Sequence, residues 1–356
     1  MIPIQDERQE KILDQYQGER FKKLLFLSVS LIGLLMTALI CTSLGITDSS
    51  IGDVWRTILK AFTKHEGLTT AEKVILNLRL PRTALGLLAG MGLSISGVVM
   101  QGITRNPLVS PFTIGISSAA GFGASIAIVF GFSFFGSSQI GIITNAFIAI
   151  MICMAIIFLI ARKMSMSSQA IILTGIALNY LFQACSTTIQ FIADDNKLAK
   201  VINWTFGSLN GAEWIHVKIV ALFVIPCFIV LLVLNKKFTI MATMEDELSK
   251  TIGINPVQLR VVGSLISALA TAAVISFTGV IGFIGLAAPH ITRSIIGNNY
   301  KYLIPGSAMV GGILIIVADT IGRLILSPVI VPVGIVISFL GVPIFLNQVV
   351  LNKRSY

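Results

Sequence analysis

"LRLPRTALGLLAGMGLSISGVVMQGITRNPLVSP" runs from Leu78 to Pro111. Arg79 and Arg82 stand at its head, an uncharged run of apolar and small residues follows, and the run closes on Arg105-Asn106-Pro107. An uncharged apolar segment of ~20 residues crosses the hydrocarbon of a bilayer as an α-helix. Cations are expensive at the centre of such a helix and tolerated at its mouth. The stretch therefore predicts a membrane-crossing helix with paired cations at one end, and the purpose of that pair bears on function.

The rest of the chain has the same character. Of 356 residues, 55% are hydrophobic and only 12% are charged, against about 25% charged in a soluble domain. Mean hydropathy is +0.90. The alternating ~10-residue segments of a transmembrane barrel are not evident, so an all-α polytopic bundle is expected, because each segment must satisfy its own backbone in lipid. Ten spans are expected, near 24–44, 83–102, 111–132, 139–161, 169–191, 214–234, 261–279, 281–297, 304–325 and 330–351. Before them, residues 1–23 are polar and hold Asp6, Glu7, Glu10, Asp14 and Glu19. This pattern is read as a cytoplasmic tail rather than a secretory signal. Residues 24–351 then form one transmembrane domain, and 352–356 a cytoplasmic C-terminus. Between the first two spans, Ile51, Val54, Trp55, Ile58, Leu59 and Phe62 recur at helical spacing and predict an amphipathic helix lying on the surface.

Ten spans put both termini on one side. If that side is cytoplasmic, 16 of the 26 lysines and arginines fall inside and 10 outside, the sign expected of a membrane protein. The net charge of +10 is read this way and not as a nucleic-acid surface. The outer set includes Arg56, Lys60, Lys64, Lys73, Arg79, Arg82 and Arg323. Cations on that face run against the rule and invite a functional reading, with anchoring to lipid phosphates as the alternative.

Several chemistries have no residues behind them. There is no GxxxxGK[ST] phosphate loop, so ATP hydrolysis by this chain is not expected. No catalytic Ser/His/Asp or paired-carboxylate constellation is evident. Cys41, Cys153, Cys185 and Cys227 sit in apolar runs without a CxxC pair, and His65, His216 and His290 are far apart, so no metal site is expected. Asp319, four residues before Arg323, is the exceptional acid within a span; a neutralised i,i+4 pair accounts for it. Gly86-x3-Gly90 and Gly115-x3-Ala119-x3-Gly123 put small residues on one helix face, where backbones approach closely. In the polar loop Asn235 to Arg260, Glu245 to Thr251 predicts a short helix, ended by Gly253 in a left-handed cap and stopped by Pro256. Such a helix outside the membrane is a handle for a soluble partner.

Three stretches together resemble a known family. "LRLPRTALGLLAGMGLSISGVVMQGITRNPLVSPFTIGISSAAGFGA", "GVIGFIGLAAPHITRSIIG" and "LIPGSAMVGGILIIVADTIGRLILSPVIVPVGIVISFLGVPIFL" are similar to FecCD-type permeases, the membrane subunits of ABC importers for iron-siderophores, haem and cobalamin. "EDELSKTIGINP" stands where that family has its coupling loop. The resemblance covers about 50–351. It implies ten helices per subunit in the type II importer architecture, a homo- or heterodimer of permeases, separate ATPase subunits that carry ATP and Mg, and a substrate-binding protein on the outer face. It implies no cofactor on this chain and a place in the bacterial cytoplasmic membrane, among lipid. It assigns docking of the binding protein to Arg79, Arg82 and Arg323, and coupling to Glu245, Glu247, Gly253, Ile254, Asn255 and Pro256 within 235–260. A cytoplasmic gate falls at Ser167, Ser168 and Gln169, and Gln101, Asn106, Pro107, Pro289 and His290 match family motifs. Iron-siderophore is the expected cargo, with haem or cobalamin as alternatives. The rival classes are an ion-coupled secondary transporter and, without a catalytic constellation, a membrane enzyme.

Overall fold

The computed structural model describes residues 3–45, 50–63, 68–136 and 138–351. His65, Lys64 and the tail 352–356 lie outside the described residues. Every regular element among the described residues is helical. In chain order these are α1 (Pro3–Ser43), α2 (Ile51–Thr63), α3 (Thr70–Val74), α4 (Leu80–Thr104), α5 (Ile116–Phe130), α6 (Ser138–Lys163), α7 (Ser168–Ile192) and α8 (Asp195–Thr205). Then follow α9 (Trp214–Val233), α10 (Asn235–Thr243), α11 (Asp246–Thr251), α12 (Pro256–Thr278), α13 (Ile284–Ile296), α14 (Tyr300–Leu324) and α15 (Val333–Leu351).

Each expected span has a helix, but their lengths differ. Seven are long and apolar enough to cross a membrane: Gln17–Ser43, Thr70–Thr104, Gln139–Lys163, Ser168–Ile192, Trp214–Val233, Pro256–Thr278 and Tyr300–Leu324. The helices for the other three spans, α5, α13 and α15, are shorter. Pro107, Pro111 and the left-handed Gly115 (φ 85°) keep 105–115 out of helix and leave α5 only 15 residues. Residues 3–23 continue into the first span as a single helix, α1.

The second span begins earlier than the sequence suggests. A capping box starts the helix at Thr70: the Thr69 hydroxyl accepts from Glu72 N, and the Glu72 carboxylate accepts from Thr69 N at 2.7 Å. Glu72 also takes Lys60 Nζ at 2.9 Å, tying α3 to α2. A π-helical turn, Ile75–Arg79, joins α3 to α4. Pro81 follows it as the second residue of α4. Proline withdraws an N–H and crowds the preceding turn, and the widened turn accommodates it.

α4 is the axis of the fold, packed against α14, α12, α13 and α9. Small residues allow this, as the spacing suggested. A Cβ on Gly90 would collide with Gly311 O of α14, and one on Gly123 with Asn145 O of α6. In lipid, close backbone approach supplies the packing that the hydrophobic effect cannot. α1 lies at the margin, with Leu31, Ile32 and Leu35 exposed. The amphipathic α2 buries Val54 and Thr57 and exposes Ile51, Trp55 and Leu59, as expected of a helix lying along an apolar surface. α8 was not legible in advance; it is a short amphipathic helix capped by the Asp194 side chain on Lys197 N.

Candidate functional site

At one end of the bundle, the loop between α9 and α12 folds into α10 and α11. α11 ends as the sequence suggested: Gly253 has φ +84°, its N–H donates to Lys250 O, and Asn255 Oδ1 caps α12 by accepting from Val257 N and Gln258 N. Ile254 is buried and donates its N–H to Ser249 O. Glu245 is the N-cap residue of α11 and Glu247 lies in its first turn.

The residue that fastens this loop was missed. Asp246 Oδ1 accepts from Arg105 Nη2 at 2.6 Å and Arg260 Nη2 at 2.9 Å, and Oδ2 accepts from Arg260 Nη1 at 2.7 Å. Arg260 is only 2% exposed and also donates to Ile103 O. Arg105 ends α4 in a left-handed conformation, φ 50°, which costs a non-glycine residue about 1–3 kcal/mol. Its Nε bond to Met241 O at 2.8 Å and its pairing with Asp246 hold it there. Burial opposes ionisation of Asp246, but the two guanidinium partners outweigh it and hold the carboxyl below the usual carboxylate range. One carboxylate thus joins the end of α4, the start of α12 and the loop helix. No local pattern announced it, because Arg105 and Asp246 stand 141 residues apart in sequence.

Two clefts open beside this clasp. The first, of about 480 Å³, is lined by Gln101, Asn106, Pro107 and His290 together with Arg105, Arg293 and Tyr300. The structure therefore gathers four of the five family-motif residues at one place; Pro289 is buried in α13 beside them. The second, of about 430 Å³, sets Asn106, Pro107 and Leu108 opposite Ser168 and Gln169. Ser168 Oγ donates to Ile103 O at 3.2 Å, whereas Ser167 is occupied as the N-cap of α7, accepting from Ala170 N.

A third cleft, of about 500 Å³, runs between α5 and α7. Asn179, Gln183, Ser186, Thr187 and Gln190 line it from α7, facing Ser117 and Ser118 of α5. These α7 positions share one helix face at three- and four-residue spacing, a signal the sequence offered and that hydropathy masked. Gln183 and Thr187 are exposed. Polar side chains on the exposed face of a span need water or a protein neighbour.

At the opposite end the three arginines come together with internal partners. Arg82 donates Nε and Nη2 to Asp319 at 2.8–3.1 Å, and its Nη1 to Asn210 Oδ1 at 2.6 Å. Arg323 pairs with the same carboxylate at 3.2 Å and donates to the carbonyls of Leu44 and Cys41. Arg79, buried, donates to the carbonyls of Thr42 and Ser43. The last carbonyls of a helix lack partners and carry its negative pole, so Arg79 and Arg323 close α1. The expected Asp319–Arg323 pair is present, and it is shared with Arg82 across α4 and α14.

Known proteins share this sequence and architecture. Residues 33–351 match the FecCD transport family. A protein of Methanocaldococcus jannaschii named as an ABC transporter permease is 38% identical over 344 residues, covering 94% of this chain and 97% of that one. The Fe(3+)-citrate import system permease protein of Bacillus subtilis is 35% identical, covering 91% and 96%, and the hemin transport system permease protein of Yersinia pestis is 34% identical, covering 94% and 98%. A solved metal-chelate type ABC transporter in an inward-facing conformation superposes with a TM-score of 0.80 at 30% identity, covering 91% of this chain and 98% of that one. The chain belongs to the FecCD transport family: it is a multi-pass membrane protein and a transport subunit of the ABC permease class, not an enzyme.

Proposed function

We propose that this permease carries a chelated ferric ion, a siderophore or a comparable iron complex, along the cleft between α5 and α7. The polar α7 face carries this reading. It offers amide and hydroxyl groups without charge, which suits a bulky polar chelate that must pass without being held tightly. Because that face is exposed on a single chain, a second permease subunit completes the passage. Relatives named for ferric citrate and hemin support a metal chelate as cargo. Iron-siderophore is the first choice and haem the second.

The energy comes from partner ATPases, as the family implies. α10 and α11 are the elements they grip, and the Asp246 clasp carries their movement into α4 and α12. The end bearing Arg162, Lys163, Lys236 and Lys237 faces the cytoplasm by the excess of cations, a sidedness that agrees with cytoplasmic termini. The cleft between Asn106–Leu108 and Ser168–Gln169 lies at that end, where a cytoplasmic gate belongs. The opposite end receives the binding protein, with Arg82 and Arg323 as the cations that meet it and Arg79 holding the end of α1 beside them. An ion-coupled carrier is disfavoured: among the described residues Asp319 is the only buried carboxylate, and two guanidiniums neutralise it. Deleting the gene should impair growth on a chelated iron source under iron restriction, with recovery on added inorganic iron. Loss of cobalamin-dependent growth alone would refute the iron assignment and leave the family membership intact.

A further inference from the structure

The cleft at the cytoplasmic ends of α4 and α13 has a chemistry that cargo transport does not use. Gln101 is 3% exposed, lines the cleft, and neither of its amide atoms has a hydrogen-bond partner among the described residues. Arg293 Nη1, also lining it, is buried and without a partner among the described residues. Unsatisfied buried polar groups cost about 1–3 kcal/mol each, more when charged, so their grouping at one cavity points to a ligand. No carboxylate is among the residues that line the cleft. Arg105 is spent on Asp246 and Met241 O, which leaves Arg293 as the source of net positive charge. Tyr300, the first residue of α14, lines the same cleft.

Gln101 narrows the choice of anion. Its Nε2 needs an acceptor and its Oε1 needs a donor. The ligand must therefore present a charged oxygen beside an O–H. A simple carboxylate offers only acceptors, whereas a hydrogen phosphate, or a phosphate ester with a neighbouring hydroxyl, offers both. We propose that the cleft bounded by α4, α10, α13 and α14 binds a phosphate group of this kind, with Arg293 on its charged oxygens and Gln101 bridging its oxygen and hydroxyl. The group can come from inorganic phosphate or from a glycerol-bearing phospholipid headgroup. Either way it ties the motif residues to α10, so binding favours whichever packing of the bundle keeps the cleft closed around it.

The test uses the purified full-length protein. Inorganic phosphate is titrated by ³¹P NMR in detergent, and thermal stability is compared in nanodiscs of phosphatidylcholine with and without phosphatidylglycerol. Saturable phosphate binding is expected, weakened about tenfold in Arg293→Gln, the equivalent of ~1.4 kcal/mol, and largely kept in Arg293→Lys. Gln101→Leu should weaken it as well, and serves alone if Arg293→Gln fails to insert. A phosphatidylglycerol-specific stabilisation lost in these variants, without response to free phosphate, supports the site and identifies the lipid as its source. The proposal is overturned if neither phosphate nor phosphatidylglycerol has an effect, or if both variants respond as the wild type does.

Discussion

Asp246 holds two arginines that are far apart in sequence, and its replacement has a definite expected cost. The side chain is 36% exposed and Arg260 nearly buried, so Asp246→Asn should destabilise by about 1–2 kcal/mol, less than the ~3–5 kcal/mol of a fully buried pair. The carboxyl titrates below its ordinary value in the folded protein. Its contribution is therefore fully present above the unfolded-state value and disappears only as pH falls through the lowered folded value. Thermal melts of wild type and Asp246→Asn should differ by a constant amount at neutral and mildly acidic pH and converge in strong acid. A difference that vanishes already near neutrality would contradict the clasp. At this scale the sequence was partly legible. Gly253 and Pro256 announce their conformation by residue type alone, because left-handed φ and a fixed proline φ are local properties. The Arg105–Asp246–Arg260 clasp is long-range and leaves no local trace.

Elements were more legible than their edges. Apolar runs marked the seven helices long enough to cross a membrane, because burial in lipid depends on composition over a whole helix. The second span, expected from about residue 83, continues back through a π turn to the Thr69–Glu72 capping box, whose polar residues carry no hydropathy signal. α8 was missed because its polar sequence reads as a connector. The loop that carries α10 and α11, proposed to couple to the ATPase, gives the sharpest test at this scale. Gly253 has open space where a Cβ would stand, so its replacement strains only the backbone, by roughly 1–2 kcal/mol for a β-branched residue at positive φ. Gly253→Val should lower uptake while leaving insertion and permease–ATPase assembly measurable, and Gly253→Asn, which tolerates left-handed backbone, should recover much of it. Wild-type uptake by Gly253→Val would remove this turn from the coupling path.

At the scale of the whole molecule, the arginine cluster links the fold to the proposed docking of a binding protein. The sequence placed Arg79, Arg82 and Arg323 at one end but could not show that they already hold Asp319, Asn210 and the carbonyls of α1. On the proposed docking, a binding-protein carboxylate would compete with Asp319 for Arg82 and Arg323. Asp319→Asn should lower thermal stability by a few kcal/mol, as expected for a broken buried ion pair (~3–5 kcal/mol), yet strengthen binding-protein docking. Added salt should weaken docking in both proteins, because screening acts over ~10 Å at 0.1 M. Weaker docking by a correctly inserted Asp319→Asn would mean that the cluster is structural only.

The central claim is that ATP, spent by a partner, drives a metal chelate past the polar face of α7. The direct measurement is uptake of a radiolabelled ferric chelate into proteoliposomes holding this permease, its ATPase and its binding protein. The account predicts uptake that needs ATP, the ATPase and the binding protein together, and that is lost in an Asn179→Leu, Gln183→Leu variant that still assembles. Uptake by the permease alone, driven by an ion gradient and indifferent to ATP, would contradict it.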